Sequence, residues 1–83
     1  MLVPLPHLRS VVDHDGAVIL DIESSTMVTL NPTGGYIWEK LKQGKLLDEI
    51  IRELACETLT DLAIVERDVH DFLDSLKLRH LIA

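Results

Sequence analysis

The spacing of hydrophobic positions along this chain changes once, from alternation to a three-and-four repeat, and the change falls at Asn31-Pro32. Before it, Ala17 to Glu23 alternates as an extended segment does, with Val18, Leu20 and Ile22 on one face and Ala17, Ile19 and Asp21 on the other. Leu8 to Asp13 also suits a short strand, and Thr26 to Leu30 forms a third, rich in β-branched residues. His14-Asp15-Gly16 supplies the first turn, with Gly16 free to adopt a positive φ, and Ser24-Ser25 makes the second connection. Three strands joined by short turns predict an antiparallel meander with at least one edge left unpaired.

After Asn31 the pattern is helical. Asn is a favoured N-cap, and Pro32 fits the first helical position, where its missing N–H is not needed. The first helix carries Tyr36, Ile37, Trp38 and Leu41 to about Gln43, and Gly44 is placed to end it in the left-handed conformation. A second helix sets Leu46, Leu47, Ile50, Ile51, Leu54 and Ala55 on one face, with Asp48, Glu49, Arg52 and Glu53 on the other. A third starts near Thr60 or Asp61 and aligns Leu62, Val65, Val69, Phe72, Leu73 and Leu76. Lys77 and Arg79 close it at the negative end of the helix dipole, and Leu81-Ile82 is expected to fold back on the core. Residues 1–83 therefore read as one α+β domain, a three-stranded β-meander followed by three helices, winged-helix-like, with Trp38 and Phe72 expected near the centre of its core.

Composition narrows the function. Fourteen acids against eight Lys and Arg give a net charge of −6, and the basic residues are scattered among the acids. Nucleic-acid affinity rests on neutralising phosphates, so DNA or RNA is a poor partner. No run approaches the roughly 20 apolar residues of a membrane span. The N-terminus, with two prolines before Arg9, does not read as a signal peptide. The single cysteine, Cys56, lies in a helical stretch and reads as a buried, inert thiol in a reducing cytoplasm.

The search for catalytic chemistry is nearly empty. His7, His14, His70 and His80 make no H-x-x-x-H or H-E-x-x-H pair, and one cysteine cannot complete a zinc site with them. Asp13 and Asp15 flank His14 as turn formers rather than as a calcium loop. Gly34-Gly35 lacks the G-x-x-x-x-G-K of a phosphate loop and reads as glycine for close helix–sheet packing. Asp74-Ser75-Leu76 is similar to the phosphopantetheine motif of acyl carrier proteins, but there the serine opens a helix in mid-chain of an all-helical fold. No cofactor, metal or catalytic residue is expected.

What remains is a surface. An exposed β-branched edge invites pairing with an extended peptide as an added strand. The candidate edge is Thr26 to Leu30, with the third helix as the opposite wall and Glu66, Asp68, Asp71 and Asp74 as attractors for basic positions of a peptide. The pattern alone leaves open that the edge is merely short and the charges merely solvate a helix. A second class of function, an acidic winged-helix regulator or protein-interaction module, is also open at this point.

The run Asp15-Gly16-Ala17-Val18-Ile19-Leu20-Asp21, then Leu30-Asn31-Pro32-Thr33-Gly34, then Ile37-Trp38 and Leu41, resembles the PqqD-like family, the precursor recognition elements of ribosomal peptide (RiPP) biosynthesis. Gly44, Ile50, Leu54 and Val69-x-x-Phe72-Leu73-x-x-Leu76 before Leu81-Ile82 agree, so the resemblance spans about Leu8 to Ile82. Within it the chain is more similar to the stand-alone leader-binding proteins of lasso peptide clusters. The pyrroloquinoline quinone protein typically has Tyr-Pro-Glu-Gly where this chain has Asp21-Ile22-Glu23-Ser24, and Cys-Asp-Gly where it has Lys42-Gln43-Gly44. Arg79-His80 departs from the family, which usually has a glycine before the terminal Leu-Ile pair.

The resemblance implies a non-catalytic domain that binds the leader of a precursor peptide antiparallel to the third strand and against the third helix. Carried onto this chain, the strand contacts are Ser25, Thr26, Met27, Val28, Thr29 and Leu30, and the helix contacts are Val65, Asp68, Val69, Phe72, Leu73 and Leu76. Lasso leaders commonly present a tyrosine and a proline, so an apolar pocket between strand and helix is expected. The implied partners are the precursor peptide, a cysteine-protease-like leader peptidase and a macrocyclase.

Overall fold

A computed structural model describes residues 3–82. Its elements run β1 (Leu8–Asp13), β2 (Gly16–Asp21), β3 (Thr26–Leu30), α1 (Pro32–Lys42), α2 (Leu47–Thr58) and α3 (Leu62–Leu78), the meander and three helices expected. The strands pair antiparallel in the order β1-β2-β3, with Val11 opposite Val18 and Ile19 opposite Val28. No helix among the described residues is long and apolar enough to cross a membrane.

One face of the sheet carries Leu8, Ala17 and Ile19, all buried, and α1 packs across it. Two glycines make that packing close. A Cβ on Gly35 would lie 2.7 Å from the Gly16 carbonyl carbon, and one on Gly16 (φ 133°) would fall on the Leu30 carbonyl oxygen. The helix is fixed at its start by Asn31, whose Oδ1 accepts the Gly34 N–H at 2.7 Å, the cap expected from Asn-Pro. Trp38 is 1% exposed at the core centre, and its Nε1–H donates to Ser10 Oγ at 3.0 Å. Tyr36 braces α1 on α2 by donating to Glu53 Oε2 at 3.3 Å, while Lys40 pairs with the same carboxylate at 3.2 Å and sits 5.3 Å from the Tyr36 ring centre. Desolvation, with the charges of Glu57 and Glu53, raises the Tyr36 pKa to about 12, and the hydrogen-bonded Lys40 lowers that of Glu53.

The C-terminus folds back as expected. Leu81 and Ile82 are buried, Leu81 N–H bonds Leu76 O, and Ile82 bridges to Pro4. His80 takes the left-handed conformation (φ 57°) that a glycine would adopt without strain, so the turn is kept despite the departure in sequence.

Four expectations change. β2 stops at Asp21 instead of Glu23, because the Asp21 carboxylate accepts the N–H groups of Glu23 and Ser24 at 3.0 and 3.1 Å and turns the chain. Leu46 precedes α2 and is exposed, outside the stripe it was expected to join. Cys56 is exposed rather than buried, because the core side of α2 is taken by Ile50, Ile51 and Leu54. Phe72 is half-buried at the flank of the core, not at its centre, its ring 3.1 Å from where a Cβ on Gly34 would stand.

Candidate functional site

The register decides which backbone groups of β3 are free. Closing pairs of tight antiparallel hairpins exchange both hydrogen bonds, and these pairs then alternate along the ladder. With Asp21 opposite Thr26 and Ala17 opposite Leu30, the N–H and C=O groups of Thr26, Val28 and Leu30 face β2. Those of Met27 and Thr29 face outward, and among the described residues no backbone bond outside the sheet takes them. The side chains follow the same parity. Val28 and Leu30 are half-buried toward the helices, whereas Met27, 67% exposed, and Thr29 stand on the far face.

At the Leu30 end of this edge, a cavity of about 330 Å³ opens between the start of α1, the end of α2 and α3. Its apolar wall is Ile37, Leu54, Val65, Val69 and Phe72, and its polar margin Asn31, Thr33, Thr58, Thr60 and Asp68. The Thr58 hydroxyl donates to Leu54 O at 2.7 Å and that of Thr60 to Thr58 O at 3.2 Å. Both therefore offer acceptor oxygens, as does Asp68, so the margin suits a side chain with an apolar body and a donor at its tip. Gly34 makes room for the Phe72 ring, which a Cβ at that position would crowd.

The expected residues thus separate. Val65, Asp68, Val69 and Phe72 line the cavity, and Ser25 to Leu30 lie along the open edge and the turn before it. Leu73 and Leu76, 2% and 1% exposed, are core and hold α3 in place rather than present surface. Ser25 adopts φ 56° in the turn. That turn is held by Asp21, whose pKa is lowered chiefly by the hydrogen bond from the Ser24 amide, and His7 lies 3.6 Å from its carboxylate. At about 100° per residue, Asp71 shares the flank of Asp68, while Glu66 and Asp74 point away. Sequence reasoning missed Asn31, Thr33, Ile37, Leu54, Thr58 and Thr60 as cavity residues. The Asn-Pro cap beside Gly34 marked the place, but nothing in the sequence brings the α2–α3 turn to it.

Elsewhere, Asp13, His14 and Asp15 cluster in the exposed β1–β2 turn, where Asp13 accepts the Asp15 N–H at 2.8 Å as a turn former does.

An open strand edge beside a cavity floored by helices is the geometry of α+β domains that take an extended peptide as an added strand, a mode in which main chain supplies affinity and pockets supply selectivity. Residues 16–82 match the model of the family described as Coenzyme PQQ synthesis protein D (PqqD). The chain belongs to the PqqD family, the one its Leu30–Gly34 and Ile37-Trp38 motifs resemble. Among solved structures it is similar to TbiB1 in complex with the TbiA(beta) leader peptide, with 31% identity, a TM-score of 0.90, and coverage of 96% of this chain and 93% of that one. It shares its fold with a lasso peptide synthetase B1 complexed with the leader peptide, at 24% identity, a TM-score of 0.89, and coverage of 99% and 96%. No curated protein matches it.

Proposed function

We propose that this domain binds the leader segment of a ribosomally made precursor peptide as a fourth strand on β3, and delivers it to a leader peptidase and a macrocyclase in lasso peptide biosynthesis. The observation that carries this is the outward main chain of Met27 and Thr29 beside the cavity at the foot of α3. A guest running antiparallel to β3 pairs with those groups and brings its N-terminal part toward Leu30, where the cavity takes one anchor side chain. Val28 and Leu30 from the strand, with Asp68 and Phe72 from α3, are the contacts that set selectivity. Likeness to TbiB1, solved in complex with a leader peptide, over nearly the whole of both chains supports leader binding by this chain. The domain itself performs no chemistry and works in the cytoplasm beside the enzymes it serves.

Ordering a disordered peptide costs part of the interaction energy, yet a strand of about ten residues with one buried anchor reaches sub-micromolar affinity, about −8 kcal/mol or better. The test is calorimetric titration with synthetic lasso-precursor leaders, the TbiA(beta) leader among them. Saturable one-to-one binding, with slowed hydrogen exchange at Met27 and Thr29, is the expected result. Binding that leaves those two amides exchanging freely refutes strand addition at β3.

A further inference from the structure

The sheet has a second open edge, and its sequence is complementary to itself. By the same parity that frees Met27 and Thr29, the pairs Asp13–Gly16, Val11–Val18 and Arg9–Leu20 exchange hydrogen bonds within the β1–β2 hairpin. The main chain of Ser10 and Val12 therefore faces outward, and among the described residues no backbone bond outside the sheet takes it. Beside it, between Val12 and α1, lies a hollow of about 370 Å³, so the helix does not close over this edge. A free edge is normally blunted by a proline, a bulge or charged side chains; Leu8–Asp13 has no proline or bulge, and its two charges, Arg9 and Asp13, are of opposite sign and point outward.

We propose that β1 is a homodimerisation edge, on which a second copy of this chain pairs antiparallel about a twofold axis at Val11. Only one register satisfies both the backbone and the side chains. Centred on Val11, it makes Ser10 and Val12 of one copy the hydrogen-bonded partners of Val12 and Ser10 of the other, as their outward groups require. It also sets Arg9 against Asp13 of the second copy, and Asp13 against Arg9 of the second copy, giving two ion pairs flanking a Val11–Val11 contact. To form them Arg9 releases the Pro6 and Leu8 carbonyls it bonds at 3.1 and 3.0 Å in the single chain, while Asp13 keeps one oxygen on the Asp15 N–H. Centring on Ser10 or on Val12 instead sets Arg9 or Asp13 against Val11 and loses both ion pairs. Val11 is 72% exposed in the single chain, and Val18 beside it is also exposed, so this contact covers apolar surface left bare by the fold. The product is a six-stranded sheet with β3 at each outer end, so two copies hold two guest peptides without competition. The proposal is independent of what β3 binds.

A strand edge buries much less than the roughly 800 Å² per partner of a stable interface, so the pair is transient and forms at high concentration. Sedimentation and backbone NMR of the full chain across a dilution series test it. The expected result is a concentration-dependent dimer whose amide shifts move at Ser10 and Val12 and stay fixed at Met27 and Thr29. Val11→Lys and Val11→Glu, at an exposed position, should each stay folded by circular dichroism and associate about fivefold more weakly or worse, since like charges then face each other across the axis. An equimolar mixture of the two should recover association as a mixed pair. A chain that stays monomeric at millimolar concentration overturns the proposal. So does a Val11→Lys variant that dimerises like the parent, a mixture that fails to recover, or shifts centred on β3.

Discussion

Replacing Met27 by proline separates the backbone of the site from the stability of the fold. The register directs the Met27 N–H away from β2, so the ring removes a donor that the folded chain does not use. The side chain is 67% exposed and contributes little to the core. Thr26, the preceding residue, is already extended, as a residue before proline must be. The melting temperature should therefore move by no more than a few degrees. For the guest the change is large: it loses one net hydrogen bond, worth about 0.5–1.5 kcal/mol, and its own carbonyl is left unpaired at about 1–3 kcal/mol more. The sum, about 1.5–4.5 kcal/mol, is roughly 10- to 2000-fold in Kd.

Val28→Pro is the control that makes this sharp. One residue along, the N–H is directed at Ile19 and is a rung of the sheet, so proline there should unfold the hairpin by about 3 kcal/mol or more before binding is measured. The assays are calorimetric titration with the synthetic leader and thermal denaturation by circular dichroism, on both variants. Met27→Pro that melts like the parent and binds with unchanged Kd ends the strand-addition argument. Val28→Pro that is as stable as Met27→Pro shows the register, and with it the assignment of free groups, to be wrong.

The other predictions concern the surroundings of the groove. Gly35→Ala should destabilise by several times as much as Gly34→Ala in thermal melts, because its Cβ meets Gly16 backbone at 2.7 Å whereas that of Gly34 meets the movable Phe72 ring at 3.1 Å. Gly34→Ala should instead show its main effect on leader affinity, by pushing that ring into the cavity. The single tyrosine, Tyr36, should titrate by absorbance at 295 nm with a midpoint of about 12 in the folded chain. Its folded pKa is raised, so the stabilisation it brings is complete below the unfolded value near 10 and is lost as pH rises through 12; Tyr36→Phe should remove that alkaline dependence. Asp21 has the opposite sign: its folded pKa is lowered, so its contribution is present above the ordinary value of 3.8 and disappears as pH falls below it. The melting difference between the parent and Asp21→Asn should therefore shrink on acidification below that value.

The elements were legible where a local device sets them. Asn31-Pro32 announced α1, Gly44 (φ 78°) ended it, and Asp61 capped α3 through the Ala63 N–H, all without help from tertiary structure. What was not legible is whatever depends on which side of an apolar stripe meets a neighbour. Phe72 falls on the same stripe as Val69 and Leu76, and only the packing of α1 shows that it lies at the flank where Gly34 admits it. Cys56 was misplaced for the same reason, since helical spacing does not say how far round α2 the core extends. The cavity is the extreme case: Asn31, Thr33, Thr58 and Thr60 come from two separate segments that meet α3 only in the fold, and none is unusual where it stands.

That blindness has a physical source in how the site is built. A catalytic centre needs particular side chains at particular spacings, and a sequence displays them. Here the groups proposed to bind are N–H and C=O, which every residue carries, and what makes those of Met27 and Thr29 special is only that β3 is the last strand. Reassigning the outer residue types of β3 leaves the row of donors and acceptors intact, while a single proline or a one-residue slip removes it. Tolerance of substitution at Met27 and Thr29 to any residue but proline, measured by leader binding across a saturation library, is therefore the signature that distinguishes main-chain capture from side-chain recognition. A strong preference for the native side chains at both positions would point instead to side-chain recognition on the far face of β3.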